Sequence, residues 1–306
     1  MQITTAVTAI VFLASGAAAA ALQNVTQWGG PNPNNLTMDI YVPDALARNP
    51  SLVLAPHWCH GSAWDMFTGT EWRNFADKHG FIVIYPDNPT RESRCWDVCT
   101  SAALKHNGGS DTLTMINMVK YAQKKYKTGK TYVTGISSGA MATQALIGAY
   151  PEIFAAGAAY AGVPFGCFAT TDPGLWNSAC AEGNVTHSAQ GWINIVKKAY
   201  PTYKGKRPRI QLWHGTDDEI LNYTNHLEAV EQWTNVLGVN RVKPVVDAPE
   251  GNWTRTRYSK NGVVEVEAYS LKGSTHNLMT WKPSMITYAV KFFGLDKFAP
   301  VKTTTT

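Results

Sequence analysis

Thr131-Tyr132-Val133-Thr134-Gly135-Ile136-Ser137-Ser138-Gly139-Ala140 is the stretch on which the fold turns. Its first four residues are β-branched or aromatic and read as a strand; residues 140–150 read as a helix, stopped by Pro151. Between them stands G-x-S-x-G, in the strand-turn-helix setting that a nucleophile elbow demands. Gly135 and Gly139 let the backbone pass closely while Ser137 projects its hydroxyl. The helix N-terminus behind it presents a backbone N–H, from Ser138, toward developing negative charge. A plain Gly/Ser turn between strand and helix would carry the same letters, so the motif needs support from elsewhere in the chain. Ser138 fails the pattern as a rival nucleophile, because a glycine must stand two residues to each side of the serine.

Outward from this stretch, apolar runs of strand length alternate with helical patterns. Ser51-Leu52-Val53-Leu54-Ala55-Pro56-His57 and Phe81-Ile82-Val83-Ile84-Tyr85 read as buried strands, and residues 111–126 as a helix leading into the elbow strand. Residues 154–161 and 209–213 supply two more strands, separated by a polar excursion, 162–208, that reads as an insertion over one end of the sheet. A helix around 225–238, a strand around 263–270 and a helix from about 283 to 293 complete the pattern. The expected fold class is α/β: an α/β-hydrolase fold, with a mainly parallel central sheet and helices on both faces. A single α/β-hydrolase domain is expected over 21–301, with a flexible tail at 302–306.

A serine hydroxyl is a weak nucleophile at neutral pH and needs a base oriented by a carboxylate. In this fold the chain order is nucleophile, acid, base, with the acid just after a later strand. Arg209-Ile210-Gln211-Leu212-Trp213 is followed directly by His214-Gly215-Thr216-Asp217-Asp218, so either aspartate could orient the base. Of the eight histidines only His226 and His276 lie beyond this acid. His226 falls within a helical segment and reads as a surface or packing residue. His276, in the loop Gly273-Ser274-Thr275-His276-Asn277 before the last helix, occupies the place expected of the base. A second oxyanion donor is expected from the loop after an early strand, His57-Trp58-Cys59-His60-Gly61-Ser62, as the backbone N–H of Cys59 or His60. Metal binding by His57, Cys59 and His60 lacks the second ligand pair that metal sites use.

The chain of 306 residues is 44% hydrophobic and 16% charged, with a net charge of +5 spread thinly, so no basic stripe suits nucleic acid. The apolar run Ile10-Val11-Phe12-Leu13 leads into the alanines 17–21 and reads as a secretory signal peptide over 1–20; no other stretch is long enough to span a bilayer. Sequons at Asn24, Asn35, Asn184, Asn222 and Asn252 agree with export. In an oxidising compartment the five cysteines predict two disulfides and one free thiol, with connectivity open. Trp58, Trp64, Trp96 and Trp176 could stack on sugar rings. A monomer is expected.

With these residues in view, the sequence resembles the secreted fungal acetylxylan esterases and type B feruloyl esterases of carbohydrate esterase family one. The likeness runs over most of the chain beyond the signal segment. Besides the elbow it includes Tyr41-Val42-Pro43-Asp44, Gly80-Phe81-Ile82-Val83-Ile84-Tyr85-Pro86, Cys95-Trp96-Asp97-Val98, Gly108-Gly109-Ser110-Asp111, Gly162-Val163-Pro164-Phe165-Gly166-Cys167-Phe168 and the block ending at Asp218. The resemblance places the nucleophile on Ser137, the acid on Asp218, the base on His276 and the oxyanion loop on the Cys59 segment. It implies no metal or organic cofactor, and it matches Cys59, Cys95, Cys167 and Cys180, leaving Cys99 as the extra cysteine. Thr275 before the base, Asn277-Leu278-Met279 after it, and His60 depart from the family's usual residues and imply a changed pocket shape.

The function this resemblance implies is that of a secreted serine carboxylesterase on plant cell-wall polysaccharide, removing acetyl groups from xylan. Residues 176–185 and Gln232-Trp233-Thr234-Asn235-Val236 resemble the acetylxylan enzymes. Release of ferulate from arabinoxylan is the alternative, on Ala158-Ala159-Tyr160 and Leu237-Gly238-Val239. The partner is thus esterified xylan or arabinoxylan, not nucleic acid or membrane. An inactive carbohydrate-binding protein on the same scaffold is the reading of another class.

Overall fold

A computed structural model describes residues 20–172, 174–241, 245–278 and 285–301. The signal segment, except Ala20, the tail at 302–306 and the first residues of the expected last helix lie outside them.

Among the described residues eleven strands form one sheet: β1 Leu22–Val25, β2 Thr37–Tyr41, β3 Leu52–Leu54, β4 Ile82–Asp87, β5 Thr131–Ile136, β6 Phe154–Tyr160, β7 Arg209–Gly215, β8 Asn240–Arg241, β9 Val245–Val246, β10 Trp253–Lys260 and β11 Val263–Leu271. Their order is β1-β2-β4-β3-β5-β6-β7-β11-β10-β8, with β9 also on β10. The run from β4 through β11 is parallel, and both flanks are antiparallel. The expected mainly parallel α/β-hydrolase sheet is therefore what the chain forms.

The parallel strands are apolar throughout because both faces are covered. Leu52, Leu54, Ile82, Ile84 and Val133 point into one core, whereas Val53, Val83 and Tyr132 point into the other. Eight helices occur among the described residues: α1 Ala63–Gly69, α2 Trp72–His79, α3 Ser110–Tyr126, α4 Ser138–Ala149, α5 Ser178–Ala181, α6 Ala189–Ala199, α7 Thr224–Leu237 and α8 Met285–Phe293. The first core takes buried residues from α3, α4, α6 and α7; the second takes them from α1, α2 and α8.

Three features differ from the sequence reading. The 162–208 excursion is not all a cover over the sheet end: its second half is α6, capped by Ser188 on the Gly191 N–H, with Trp192 and Val196 buried in the first core. The helix after the elbow opens at Ser138 rather than Ala140. Last, β10, a mostly polar strand, pairs with β11 through a two-residue turn at Asn261 and Gly262, both at positive φ, the conformation that an Asn-Gly hairpin favours.

Candidate active site

At the C-terminal end of β5 the chain turns sharply into α4, and Ser137 sits at the turn with φ 54 and ψ −119, a region sparsely populated for any residue with a side chain. The turn is held by the Ser137 N–H donating to the Tyr160 carbonyl (2.8 Å) and the Met141 N–H donating to the Ser137 carbonyl (3.0 Å). Both glycines are required by contact. A Cβ on Gly135 would lie 2.3 Å from the Gly139 carbonyl, and one on Gly139 would lie 2.1 Å from the Pro56 carbonyl oxygen.

Ser137 Oγ is 2.9 Å from His276 Nε2, and His276 Nδ1 is 2.8 Å from Asp218 Oδ2. A carboxylate only accepts, so Nδ1 carries the hydrogen and the Nε2 lone pair faces the serine. Asp218 is buried, with Oδ1 accepting from the backbone N–H groups of Ile220 (3.0 Å) and Leu221 (2.8 Å). Burial opposes its charge, yet hydrogen bonds from His214 and His276 outweigh that and hold the carboxyl well below the ordinary carboxylate range. The acid and base loops are tied together: Asp217 N–H donates to the Ser274 carbonyl (3.0 Å), and Gly273 N–H to Thr216 Oγ1 (2.9 Å). This approach depends on Gly215, where a Cβ would lie 2.1 Å from the Ser274 carbonyl oxygen.

Of the two aspartates left open on the sequence, Asp218 meets His276, while Asp217 is an exposed turn residue bonded to Thr216. His226 does not reach Ser137; it is buried in α7, where desolvation and the neighbouring His214 lower its pKa to about 3.

Ser138 begins α4, so its N–H belongs to the first turn, where helical N–H groups lack intrahelical acceptors. Its hydroxyl accepts from the Trp96 N–H (2.8 Å), and the Trp96 indole donates to the His57 carbonyl (2.7 Å). The Cys59–Cys95 disulfide thereby joins two loops that meet over the elbow. His60 is corrected as an oxyanion donor. Its N–H donates to the Ser93 carbonyl at 2.7 Å, with His60 at φ 62, so this N–H is engaged within the loop. Of the loop pair, that leaves Cys59.

These groups open into a cavity of about 1150 Å³, walled by apolar side chains that include Val98, Met141, Phe168, Leu175 and Trp176. Trp58 and Trp96 also line it, whereas Trp64 is exposed outside that lining. Sequence reasoning missed His214, whose Nε2 lies 3.0 Å from Asp218 Oδ2, and Glu219, which accepts the His276 backbone N–H (3.1 Å). No group of three or more metal-ligating side chains occurs among the described residues. The second disulfide is Cys167–Cys180, and Cys99 is the unpaired cysteine, buried, with its thiol pushed up to about 11 by desolvation. All five sequon asparagines are exposed.

A largely parallel sheet with a tight serine elbow after one strand, and an aspartate and a histidine on loops after two later strands, defines the α/β-hydrolase class. The family model for esterase PHB depolymerase matches residues 36–172. The probable acetylxylan esterase A of Aspergillus flavus is 44% identical over 79% of this chain and 81% of its own length. Feruloyl esterase B of Talaromyces stipitatus is 40% identical over 90% of this chain and 76% of its own. The solved structure of an acetyl xylan esterase from Aspergillus awamori superimposes with a TM-score of 0.83 at 36% identity, covering 90% of this chain and 99% of that one. The chain belongs to the family of the fungal acetylxylan esterases and type B feruloyl esterases.

Proposed function

We propose that this chain is a secreted serine esterase that removes acetyl groups from xylan, with Ser137 as nucleophile, His276 as base and Asp218 as the acid that orients it. The observation that carries the proposal is His276 bridging Ser137 Oγ at 2.9 Å and Asp218 Oδ2 at 2.8 Å on the wall of a large cavity. Nε2 takes the serine proton as Oγ attacks the ester carbonyl, and the backbone N–H groups of Ser138 and Cys59 receive the oxyanion, each donor contributing about 3 kcal/mol to the transition state. The protonated His276 then releases the sugar alcohol. Water, deprotonated by the same imidazole, frees the acid and restores Ser137. Two disulfides and five exposed sequon asparagines support an extracellular setting reached through the secretory route, with residues 1–20 removed on the way.

Ferulate release is the second reading. It is favoured by the volume of the cavity and by Met141, Phe168 and Trp176 on its walls, which offer far more apolar surface than an acetyl group can cover.

Acetate release from acetylated xylan and ferulate release from methyl ferulate, measured side by side, separate the two. Release of ferulate without acetate overturns the first choice. A Ser137→Ala variant must lose both activities while keeping its melting temperature. A parent chain that binds xylan but cleaves neither ester is the outcome that favours a binding protein on this scaffold.

A further inference from the structure

Asp218 carries a second imidazole that the triad does not use. His214, next to last in β7, places Nε2 at 2.8 Å from the Leu221 carbonyl oxygen and at 3.0 Å from Asp218 Oδ2. Both neighbours are acceptors, so Nε2 carries a hydrogen and shares it between them. The ring is 1% exposed, which keeps water from replacing it. Packed around it are the acid loop on one side and α7 on the other; His226 of the helix and Tyr223 just before it face the ring with centroids at 5.8 and 6.1 Å. The Tyr223 hydroxyl is in turn bonded to Ser270 of β11.

The two oxygens of Asp218 are held differently. Oδ1 accepts from the backbone N–H groups of Ile220 and Leu221 and lies 3.0 Å from His276 Nδ1, whereas Oδ2 is nearer to that nitrogen, at 2.8 Å, and is bonded by imidazoles alone, those of His276 and His214. Rotation of the carboxylate about Cβ–Cγ decides how its two oxygens are set against His276 Nδ1, of which Oδ2 is the nearer. That rotation is opposed by a donor anchored on a rigid parallel strand, while the acid itself stands on a loop.

We propose that His214 is a positioning residue for the esterase reaction, holding Asp218 Oδ2 in place for His276 and closing the 214–221 turn through the Leu221 carbonyl. The proposal rests on the triad reading above.

The experiment compares His214→Gln, whose side-chain amide nitrogen reaches the place of Nε2, with His214→Asn, whose amide stops at the place of Nδ1. Each is made in the parent and in an Asp218→Asn background. Three quantities are read: kcat and KM on 4-nitrophenyl acetate, the rate at which a fluorophosphonate labels Ser137, and the melting temperature. His214→Asn should lower kcat by about 10- to 100-fold with KM little changed, a part of the roughly 10⁴-fold that follows when a triad loses its acid. His214→Gln should recover most of it. In the Asp218→Asn background the same His214→Asn change should cost under about twofold, because residues acting through one group are non-additive.

Equal losses in the two backgrounds would overturn the proposal, since His214 would then act on the fold and not through the acid. So would a His214→Asn variant at the parental rate, or a folded His214→Gln variant as impaired as His214→Asn. A parent that neither turns over the ester nor labels at Ser137 refutes the esterase reading itself, an outcome distinct from these.

Discussion

His226 is held neutral by burial inside α7, which lowers its pKa to about 3 from the ordinary value of 6.5. In the unfolded chain it titrates near its ordinary value, so between these two values the unfolded state binds a proton that the folded state refuses. Stability therefore rises with pH through that window and is lost as pH falls from about 6.5 toward 3. At about pH 7.5 both states are neutral and His226 contributes nothing to the pH dependence. At about pH 5 the unfolded state is favoured by roughly 2 kcal/mol through this residue alone, and the figure barely changes for any folded pKa below 4. For a chain of this size that corresponds to about 4 °C in melting temperature. The perturbation is His226→Phe, which keeps a ring beside Tyr223, now stacked on the imidazole with centroids 5.4 Å apart. Melting temperatures of parent and variant are measured at both pH values, and each protein is compared with itself, so any fixed packing penalty cancels. The parent should lose about 4 °C more than the variant on acidification. An equal loss in both would refute the burial of a neutral imidazole at this position.

Asp218 stays ionised into acid pH, because its carboxyl is held well below the ordinary carboxylate value of 3.8. Its stabilising contribution is present above the unfolded pKa and is lost only as pH falls through the lower folded one, so no loss of activity above about pH 4 should trace to it. Asp218→Asn should lower kcat by about 10⁴-fold, read on 4-nitrophenyl acetate, with the fold intact by circular dichroism. The Cys59–Cys95 bridge closes a separation of 36 residues. Replacing both cysteines by alanine should cost about 3.8 kcal/mol by the chain-entropy relation, read as a lower urea midpoint, and should also lower kcat by loosening the loop that carries the Cys59 N–H.

The parts of the site that were legible are those whose chemistry is written locally. Gly135 and Gly139 are required by close backbone approach, and an apolar strand precedes them, so the elbow could be read from a single stretch. The order Ser137, Asp218, His276 was legible because the acid and base loops directly follow the recognisable apolar runs of β7 and β11. What hid the rest was distance along the chain. Whether the His60 N–H is free depends on the Ser93 carbonyl in another loop, which no local spacing encodes. The contact of His214 with Asp218 required the 214–221 turn to fold back on itself. In α6 the spacing of Trp192, Ile195, Val196 and Ala199 was present, but Asn194, Lys197 and Lys198 on the other side gave the segment a polar average. The Asn261-Gly262 turn signalled β10, yet a strand reading Thr-Arg-Thr-Arg-Tyr-Ser-Lys after Trp253 lacks the apolar run that marks a buried strand.

The three side chains reach one another because of the order in which their strands lie. β7 and β11 are adjacent and parallel, with His214 opposite Ser270 and Gly215 opposite Leu271, so the loops bearing Asp218 and His276 leave the sheet side by side. The two loops are laced together by the Asp217 N–H donating to the Ser274 carbonyl and the Gly273 N–H donating to Thr216 Oγ1. β6 separates β7 from the elbow strand β5, and it ends where the Tyr160 carbonyl accepts from the Ser137 N–H and the Ala161 N–H donates to the Trp213 carbonyl. The elbow and the acid strand are thus hydrogen-bonded to the same two-residue step at the end of β6. A displacement of Tyr160–Ala161 would therefore change the Ser137–His276 distance directly, whereas a change on β10 would have to pass through β11 and the base loop first. Substitutions that disturb Tyr160 should accordingly appear in kcat, and those at the exposed residues of β10, Arg257 and Lys260, in stability alone.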